Sequence, residues 1–411
     1  MRDWHKLTSY RGACKVPGGK LVAVQLWYAQ GRLCRVQLDG DFFIDSVEDP
    51  SAVVEYMEKL LVVASAHKAV ETVQERYPSA QLVGLTAEAI ECAMNKAAEQ
   101  ANREMRPYEE LTPHTQERPT STVVQGSGLR IPYLSAVSRD GEKIEQLCFT
   151  WNNYDFDIIG DPQPRSPAMH MALDEILARD VARGARKPTL RFWQWDSNAV
   201  IIGLHQSVSN EVDRVRAKAH NFTVVRRMTG GGAMFVEPGN TITYSLYVPA
   251  DFLDGLSGYE AYKRCDEWVI LALQHVGIEA RYKPLNDITS AAGKIGGAAQ
   301  RRYRASHATG GSVLHHVTMA YDIDAAKMVE VLRISREKMS DKPVKSAVKR
   351  VDPLRSQTQL SRDELWHALE NQAKTIIPHI RESKLDAQTT ERAQLLAAEK
   401  YSSDEWTNRI P

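Results

Sequence analysis

The pattern of hydrophobic residues predicts an α+β protein of two or three domains, and three observations carry that reading. Strand-like and helix-like segments follow one another irregularly, without the β-α-β repetition of a doubly wound sheet. The 411 residues, 43% hydrophobic and 25% charged, have an ordinary globular composition and enough length for more than one core. From Met105 to about Gly128 the prolines at 107, 113 and 119 and the run Gly126-Ser127-Gly128 interrupt all periodicity, as a linker would.

The elements follow in order. Leu21 to Trp27 and Gly31 to Leu38 are β-rich runs separated by Tyr28-Ala29-Gln30, a hairpin-like spacing. Asp49-Pro50 opens a helix that reaches Leu61, because proline at the first helical position gives up no hydrogen bond. A second helix spans Ala87 to Glu104. Ser166-Pro167 repeats the cap-then-proline signal, with Met169, Leu173, Ile176 and Leu177 at helical spacing. Leu190 to Trp195, Ala199 to Ile202 and Thr223 to Arg227 read as strands. So does Ile242 to Val248, in which Ile242, Tyr244, Leu246 and Val248 alternate. Gly258 to Val276 is an amphipathic helix, and Ser361 to Ile376 and Thr389 to Lys400 are helical and more polar. The expected organisation is a small α+β unit (1–104), a linker (105–144), a larger unit (145–380) and a helical tail (381–411).

Basic and acidic residues both number 52, so the formal net charge is zero. That gives no global case for nucleic-acid or membrane attraction, and no apolar run approaches the roughly 18 residues of a membrane span. Charge is local instead. Arg333 to Arg355 carries eight basic residues against three acidic ones, as a solvated face, a lid or a dock for an acidic partner would. The five cysteines are spread singly, without metal or redox spacing, and the odd count argues against a secreted disulfide framework. The first six residues lack the apolar core of a signal peptide, so a cytoplasmic location is expected.

The strongest local signal is Arg226-Arg227-Met228-Thr229-Gly230-Gly231-Gly232-Ala233. Glycines without a β-carbon let a ligand lie against backbone N–H groups, and an arginine fork at the edge of such a loop suits phosphate. A tight turn with solvated arginines would use the same residues. Downstream come Gly239-Asn240, Asn286-Asp287-Ile288 and Gly293-Lys294-Ile295-Gly296-Gly297-Ala298-Ala299-Gln300. Lys294 among small residues can approach a ligand as a point charge, and Asp287 can bind a ribose hydroxyl or Mg²⁺. His315-His316 invite a zinc reading. Adjacent residues alternate sides in a strand, however, and no second ligand pair stands nearby, so packed or ligand-facing histidines are expected.

In this order and register these segments resemble the lipoate–protein ligase A family of the biotin/lipoate ligase superfamily. The resemblance runs from about Trp151 to Arg350, including Met171-Ala172-Leu173-Asp174-Glu175 and Leu190-Arg191-Phe192-Trp193. Val16-Pro17-Gly18-Gly19-Lys20-Leu21 and Gly40-Asp41-Phe42-Phe43 look like that family's accessory domain, here placed before the catalytic one. The resemblance implies a mixed-sheet catalytic domain flanked by helices, plus a small α+β accessory domain. It implies activation of lipoate or octanoate by ATP with Mg²⁺, then transfer to a lysine of an acceptor lipoyl-domain protein. A glycine-cleavage H protein, a dehydrogenase E2 domain or a lipoate-binding protein would serve; neither nucleic acid nor membrane is implied.

By the same resemblance Lys294 serves the carboxyl and α-phosphate oxygens, and Asp287 supports Mg²⁺ or the ribose. The other implied ligand-binding residues are Arg226, Arg227, Thr229, Gly230, Gly231, Gly232, Ala233, Asn240, Asn286, Gly297, Ala299, His315 and His316. Gly18, Gly19, Lys20, Gly40 and Asp41 form the accessory motif. The basic Lys345 to Arg350 segment resembles one that closes over the adenylate. Two departures stand out: Val236 replaces the histidine after the loop's phenylalanine, and His170 replaces the asparagine before Met-Ala. Related octanoyltransferases work through a cysteine thioester, and this chain has no cysteine after Cys265.

Overall fold

In the computed structural model the described residues are 8–17, 19–29, 31–105, 151–305, 310–333 and 351–411. The expected linker, the Lys345 to Arg350 segment and Gly18 lie outside them.

The N-terminal unit begins with strands β1 (Thr8–Cys14), β2 (Val22–Ala29) and β3 (Arg32–Gly40), an antiparallel sheet in that order. The short strands β4 (Phe43–Asp45) and β5 (Gln81–Val83) pair beside it. Helices Pro50–Leu61 and Ala87–Met105 pack on the sheet, and Ala66–Arg76 packs against both of them. Asp49 caps the first through the N–H of Ser51, with Pro50 at the first turn as the sequence predicts. Val22, Val24, Leu26, Val36 and Leu38 meet Val53, Met57, Ile90, Ala93 and Ala97 in one core. Gly12 makes that contact close, because a β-carbon there would lie 2.0 Å from the Ala93 carbonyl oxygen. Strand β1 and the helix Ala66–Arg76 add to the predicted elements. Cys14 and Cys92 are joined by a disulfide from β1 to the third helix. Sequence spacing expects single cysteines; the partner 78 residues away is supplied by packing, not by a local motif.

The larger unit is built on an eight-stranded mixed sheet in the order β12-β13-β14-β15-β11-β7-β6-β16. Its strands are β6 (Phe156–Gly160), β7 (Thr189–Trp193), β11 (Thr241–Pro249), β12 (Arg281–Lys283), β13 (Asp287–Thr289), β14 (Lys294–Tyr303), β15 (Ser312–Ala320) and β16 (Ile380–Glu382). A second sheet orders β10 (Met234–Val236), β8 (Ala199–Ile202) and β9 (Thr223–Arg226).

Central strand β11 is buried on both faces although its sequence alternates, because the polar residues of its second face have buried partners. Ile242, Tyr244, Leu246 and Val248 join Trp268, Leu273, Leu365 and Leu369 from the helices Gly258–His275 and Arg362–Ile376. A side chain of this size contributes about 1.5–3 kcal/mol when fully buried. On the other face Ser245 and Tyr247 both donate to Asp174 of the helix Pro167–Ala182, at 2.8 and 2.6 Å. Ser166 caps that helix, and Ser361 caps Arg362–Ile376 with a reciprocal Glu364 capping box.

The expected boundary at residue 380 cuts through β16, which pairs in parallel with β6. Past it, the helix Ala387–Leu396 and the turn after it pack on Pro167–Ala182 through Arg392–Asp180, Lys400–Glu175 and Tyr401–Glu175 contacts. The last residues belong to the packing of the larger unit. No helix among the described residues is long and apolar enough to cross a membrane.

Candidate functional site

The glycine loop follows β9. Gly230 and Gly231 are buried, and Gly231 has φ +89°, a conformation that L side chains rarely adopt. What lies against it is the N-terminal unit. A β-carbon on Gly230 would stand 2.6 Å from the Phe42 carbonyl oxygen, and one on Gly231 would stand 2.8 Å from the Phe43 ring. The Gly231 N–H donates to Phe42 O at 3.3 Å, and Gly40 N–H donates to His205 O at 3.0 Å. Asp41 accepts from Gln206 Nε2 at 2.8 Å. Beyond the loop, Arg302 reaches Asp45 at 2.9 Å. The two glycine motifs, 190 residues apart in sequence, form one joint.

Gly230→Val is expected to push the Phe42–Asp45 strap off this joint, at a cost of about 1–3 kcal/mol. Hydrogen exchange would then rise at residues 42–45 while β14 and β15 stay protected. Unchanged exchange at 42–45 would remove the close contact from the picture.

The arginine pair faces inward. Arg226 is fully buried and donates to the carbonyls of Gly203, Leu204, Gln206, Thr407 and Ile410. Its guanidinium ties the chain's last residues to the turn after β8, and burial pushes its pKa down. The expected phosphate role for Arg226 is therefore corrected: every assigned contact is to backbone oxygen. Arg227 donates to the carbonyls of Ile201, Gly230 and Gly232 and braces the loop from beneath. Its Nε–H donates to Thr229 Oγ1 at 2.9 Å.

From Thr229 a directed chain runs into the core. Thr229 lies 2.8 Å from His316 Nε2, and His316 Nδ1 lies 2.8 Å from Asp174. An arginine can only donate and a carboxylate can only accept, so the hydroxyl donates to Nε2 and Nδ1–H donates to Asp174. Burial holds His316 below the ordinary histidine value, and the neutral ring is the form this chain requires. Asp174 sits below the usual carboxylate range: burial pushes it up, but His316, Arg191 and Tyr247 outweigh that.

His315 points the other way, as strand alternation expects. It bonds Asp266 of the helix Gly258–His275 at 2.6 Å and Gln300 at 2.8 Å, and is wholly buried. A ligand role for His315 is corrected to a core role. Asn240 closes the turn into β11 through Glu237 and the N–H groups of Tyr321 and Asp322. Ala233 packs beside the cluster that contains Phe235 and Val200. Val236 is core, paired with Ala199. His170 is buried, stacked on Trp193 at 4.1 Å, and holds Arg191 and the Gln194 carbonyl.

Lys294 opens β14, where the sequence leaves open a glycine-rich turn. Its Nζ lies 2.7 Å from Asp287 Oδ1, and Asp287 sits opposite Gly297 in the ladder. A β-carbon at Gly297 would come within 2.8 Å of that Nζ, so this glycine makes room for the ammonium. Ala299, buried, faces His316 across the ladder. Asn286 donates to Ala298 O at 2.6 Å and turns its own oxygen to Lys20 Nζ, at 2.7 Å. Lys20 is delivered by a turn closed by Gly19 N–H to Val16 O. Gly40 permits this, since a β-carbon there would stand 2.1 Å from Leu21 O.

Asp287 pairs with Lys294 and so fixes where the ammonium stands. Mg²⁺ held with a nucleotide takes one or two carboxylates and completes its shell with phosphate oxygens and water. The side chains that sequence reasoning misses as supports are Asp174, His205, which stacks on Phe42, Gln206, Arg301, which donates to Met228 O at 3.1 Å, and Arg302. Their partners lie across the fold, and only Asp174 falls within a quoted motif.

Residues 166–374 match the family model described as lipoyl protein ligase A/B catalytic domain. Lipoate-protein ligase A subunit 1 of Thermoplasma acidophilum is 31% identical over 248 residues, 59% of this chain and 92% of that protein. An octanoyltransferase LipM of Exiguobacterium sp. is 28% identical over 268 residues, 59% of this chain and 94% of that protein. Among solved structures, a bipartite lipoate protein ligase studied with its E2 lipoyl domain, from T. acidophilum, superposes with TM-score 0.52. The two are 29% identical over 63% of this chain and 97% of that one. Lipoate-protein ligase A bound with ATP gives TM-score 0.51 at 26% identity, over 63% of this chain and 99% of that one.

Proposed function

Since the chain belongs to the lipoyl protein ligase A/B catalytic family, we propose that it joins lipoate or octanoate to a protein lysine by way of an acyl-adenylate. The observation that carries this reading is Lys294, held at 2.7 Å by Asp287 over a glycine that makes room for it. In the first step a carboxylate oxygen attacks the α-phosphorus of ATP, and the bond to pyrophosphate breaks. Two anions must meet, so fixed positive charge is worth most as the phosphorus crowds. Lys294 supplies that charge, and Asp287 holds it in place.

Of the glycine loop, Gly230 and Gly231 are covered by Phe42 and Phe43, while Gly232 is exposed; Arg227, Thr229 and His316 brace it from below. In the second step an acceptor lysine amine attacks the acyl carbon, AMP leaves, and the nitrogen gives up a proton as the amide forms. The anhydride is already reactive, so the protein's task there is placement. The basic segment 333–355 suits an acidic acceptor domain by its sequence.

A thioester route of the octanoyltransferase kind needs a thiol at the loop. Cys265 is fully buried in the core on the helix Gly258–His275, and burial pushes its thiol far up. Cys34 belongs to β3 of the N-terminal unit, 3.1 Å from the Trp27 carbonyl oxygen. Cys148 lies outside the described residues, and ligation is favoured by Lys294 and Asp287. Purified protein with ATP, Mg²⁺ and lipoate is expected to release pyrophosphate, and an added lipoyl domain to gain the lipoyl mass. No pyrophosphate with lipoate or octanoate would overturn the assignment, and lipoyl transfer without ATP would favour the transferase.

A further inference from the structure

Lys20 comes from the N-terminal unit yet ends among the charges of the larger one. Its Nζ donates to Asn286 Oδ1 at 2.7 Å, one residue from the Asp287 that holds Lys294. It stands 5.2 Å from the centre of the Phe43 ring, whose edge meets Gly231. Lys20 thus lies between the glycine loop and Lys294. Its electrostatic neighbours are Asp287, Lys294 and Asp41, and burial pushes its ammonium down from the usual lysine value.

The surroundings are built for this side chain. Gly84, at φ +78°, leaves space that a β-carbon would take, 2.4 Å from Lys20 Cγ. The Leu21 carbonyl is held by the Asp41 N–H at 2.9 Å. The hydrogen bond assigned to the ammonium is to a neutral amide, whereas an ammonium has three N–H groups. Among its charged neighbours Asp287 acts most strongly and Lys294 next, so Lys20 and Lys294 share one carboxylate, and a polyanion entering there meets both ammonium groups.

We propose that Lys20 is the second ammonium of the adenylation centre, donated by the N-terminal unit to the phosphate oxygens of the nucleotide alongside Lys294. The proposal rests on the ligase reading. It makes the N-terminal unit a contributor of a charged group to the first half-reaction and not to the second.

The test uses the full chain, with Lys20→Met, Lys20→Arg and, as a control for docking alone, Arg302→Met. Acid-dependent ATP–pyrophosphate exchange and acyl transfer from prepared lipoyl-AMP are measured separately. Lys20→Met is expected to lower exchange about 100-fold and to raise the KM for ATP, with transfer within about threefold of wild type. Lys20→Arg restores exchange to within about tenfold. Arg302→Met, which loosens the joint through Asp45, lowers both half-reactions together. Equal losses in both half-reactions for Lys20→Met would make Lys20 a mere fastener. Unchanged or faster exchange would overturn the proposal, the latter by showing that Lys20 plugs the site. Exchange absent in wild type removes the ligase reading and this one with it, whereas an active wild type with an unimpaired Lys20→Met removes this one alone.

Discussion

Lys294→Ala should lower acid-dependent ATP–pyrophosphate exchange by about 100- to 1,000-fold, the cost of losing one preorganised charge at a developing anion. The fold should survive. The Lys294–Asp287 pair is partly exposed, with side chains 43% and 27% accessible, and such a pair adds about 0–1 kcal/mol to stability. The melting temperature is therefore expected to stay within a few degrees while exchange collapses. Lys294→Arg should recover little, because a planar fork cannot replace a compact ammonium seated over Gly297. Near-normal exchange in Lys294→Ala would take this residue out of the reaction.

Acid should unfold the larger unit steeply. Burial holds His170 and His316 below the free value of 6.5, His170 well below, and takes His205 down to about 3. A histidine with a depressed folded pKa takes up its proton on unfolding. Its contribution is therefore whole above pH 6.5 and drains as the pH falls towards the folded value. Three such groups together give at most about 4 kcal/mol per pH unit. Asp174, held below 3.8, adds its own loss only at still lower pH, as the pH falls through its folded value. Urea midpoints at pH 7.5 and pH 5.5 measure the effect, and the midpoint should drop sharply. His205→Phe, which keeps the stacking on Phe42, should flatten the slope. A wild-type midpoint that does not move between those pH values would contradict the neutral histidines.

Activity should fall with the same protonation. A charged His316 cannot accept from Thr229 and must donate to it instead, so Thr229 Oγ1 then accepts from both His316 and Arg227 and the polarity of the chain beneath the loop reverses.

How much of this was legible depended on where each partner lies in sequence. The caps at Ser166 and Ser361, the buried strand Ile242 to Val248 and the helix from Gly258 rest on local rules, and they form where those rules put them. The parity of His315 and His316 was legible too, since a strand sends neighbours to opposite faces. What one face holds was not legible. Arg226 looks like a ligand arginine in its motif, yet its acceptors include carbonyls 181 and 184 residues away. Lys20 meets Asn286 across 266 residues. The Cys14–Cys92 bond, the seat of Lys400 on Glu175 and the capture of β16 by β6 are likewise made by the fold's long closures. Motif reading therefore marked loops that meet in the fold, while the partners of several side chains on them come from far along the chain.

The joint between Gly230–Gly231 and Phe42–Phe43 has a bearing on enzyme concentration. It is made by backbone lying close to backbone, with the Arg302–Asp45 and Arg301–Asp49 pairs beside it. Two separate chains meeting through such a joint would come apart on dilution. Within one chain the encounter is intramolecular, at an effective concentration that can reach the millimolar range. Occupancy of the joint is then set by a unimolecular equilibrium. A cell with few copies of this protein would hold the same fraction of assembled centres as one with many.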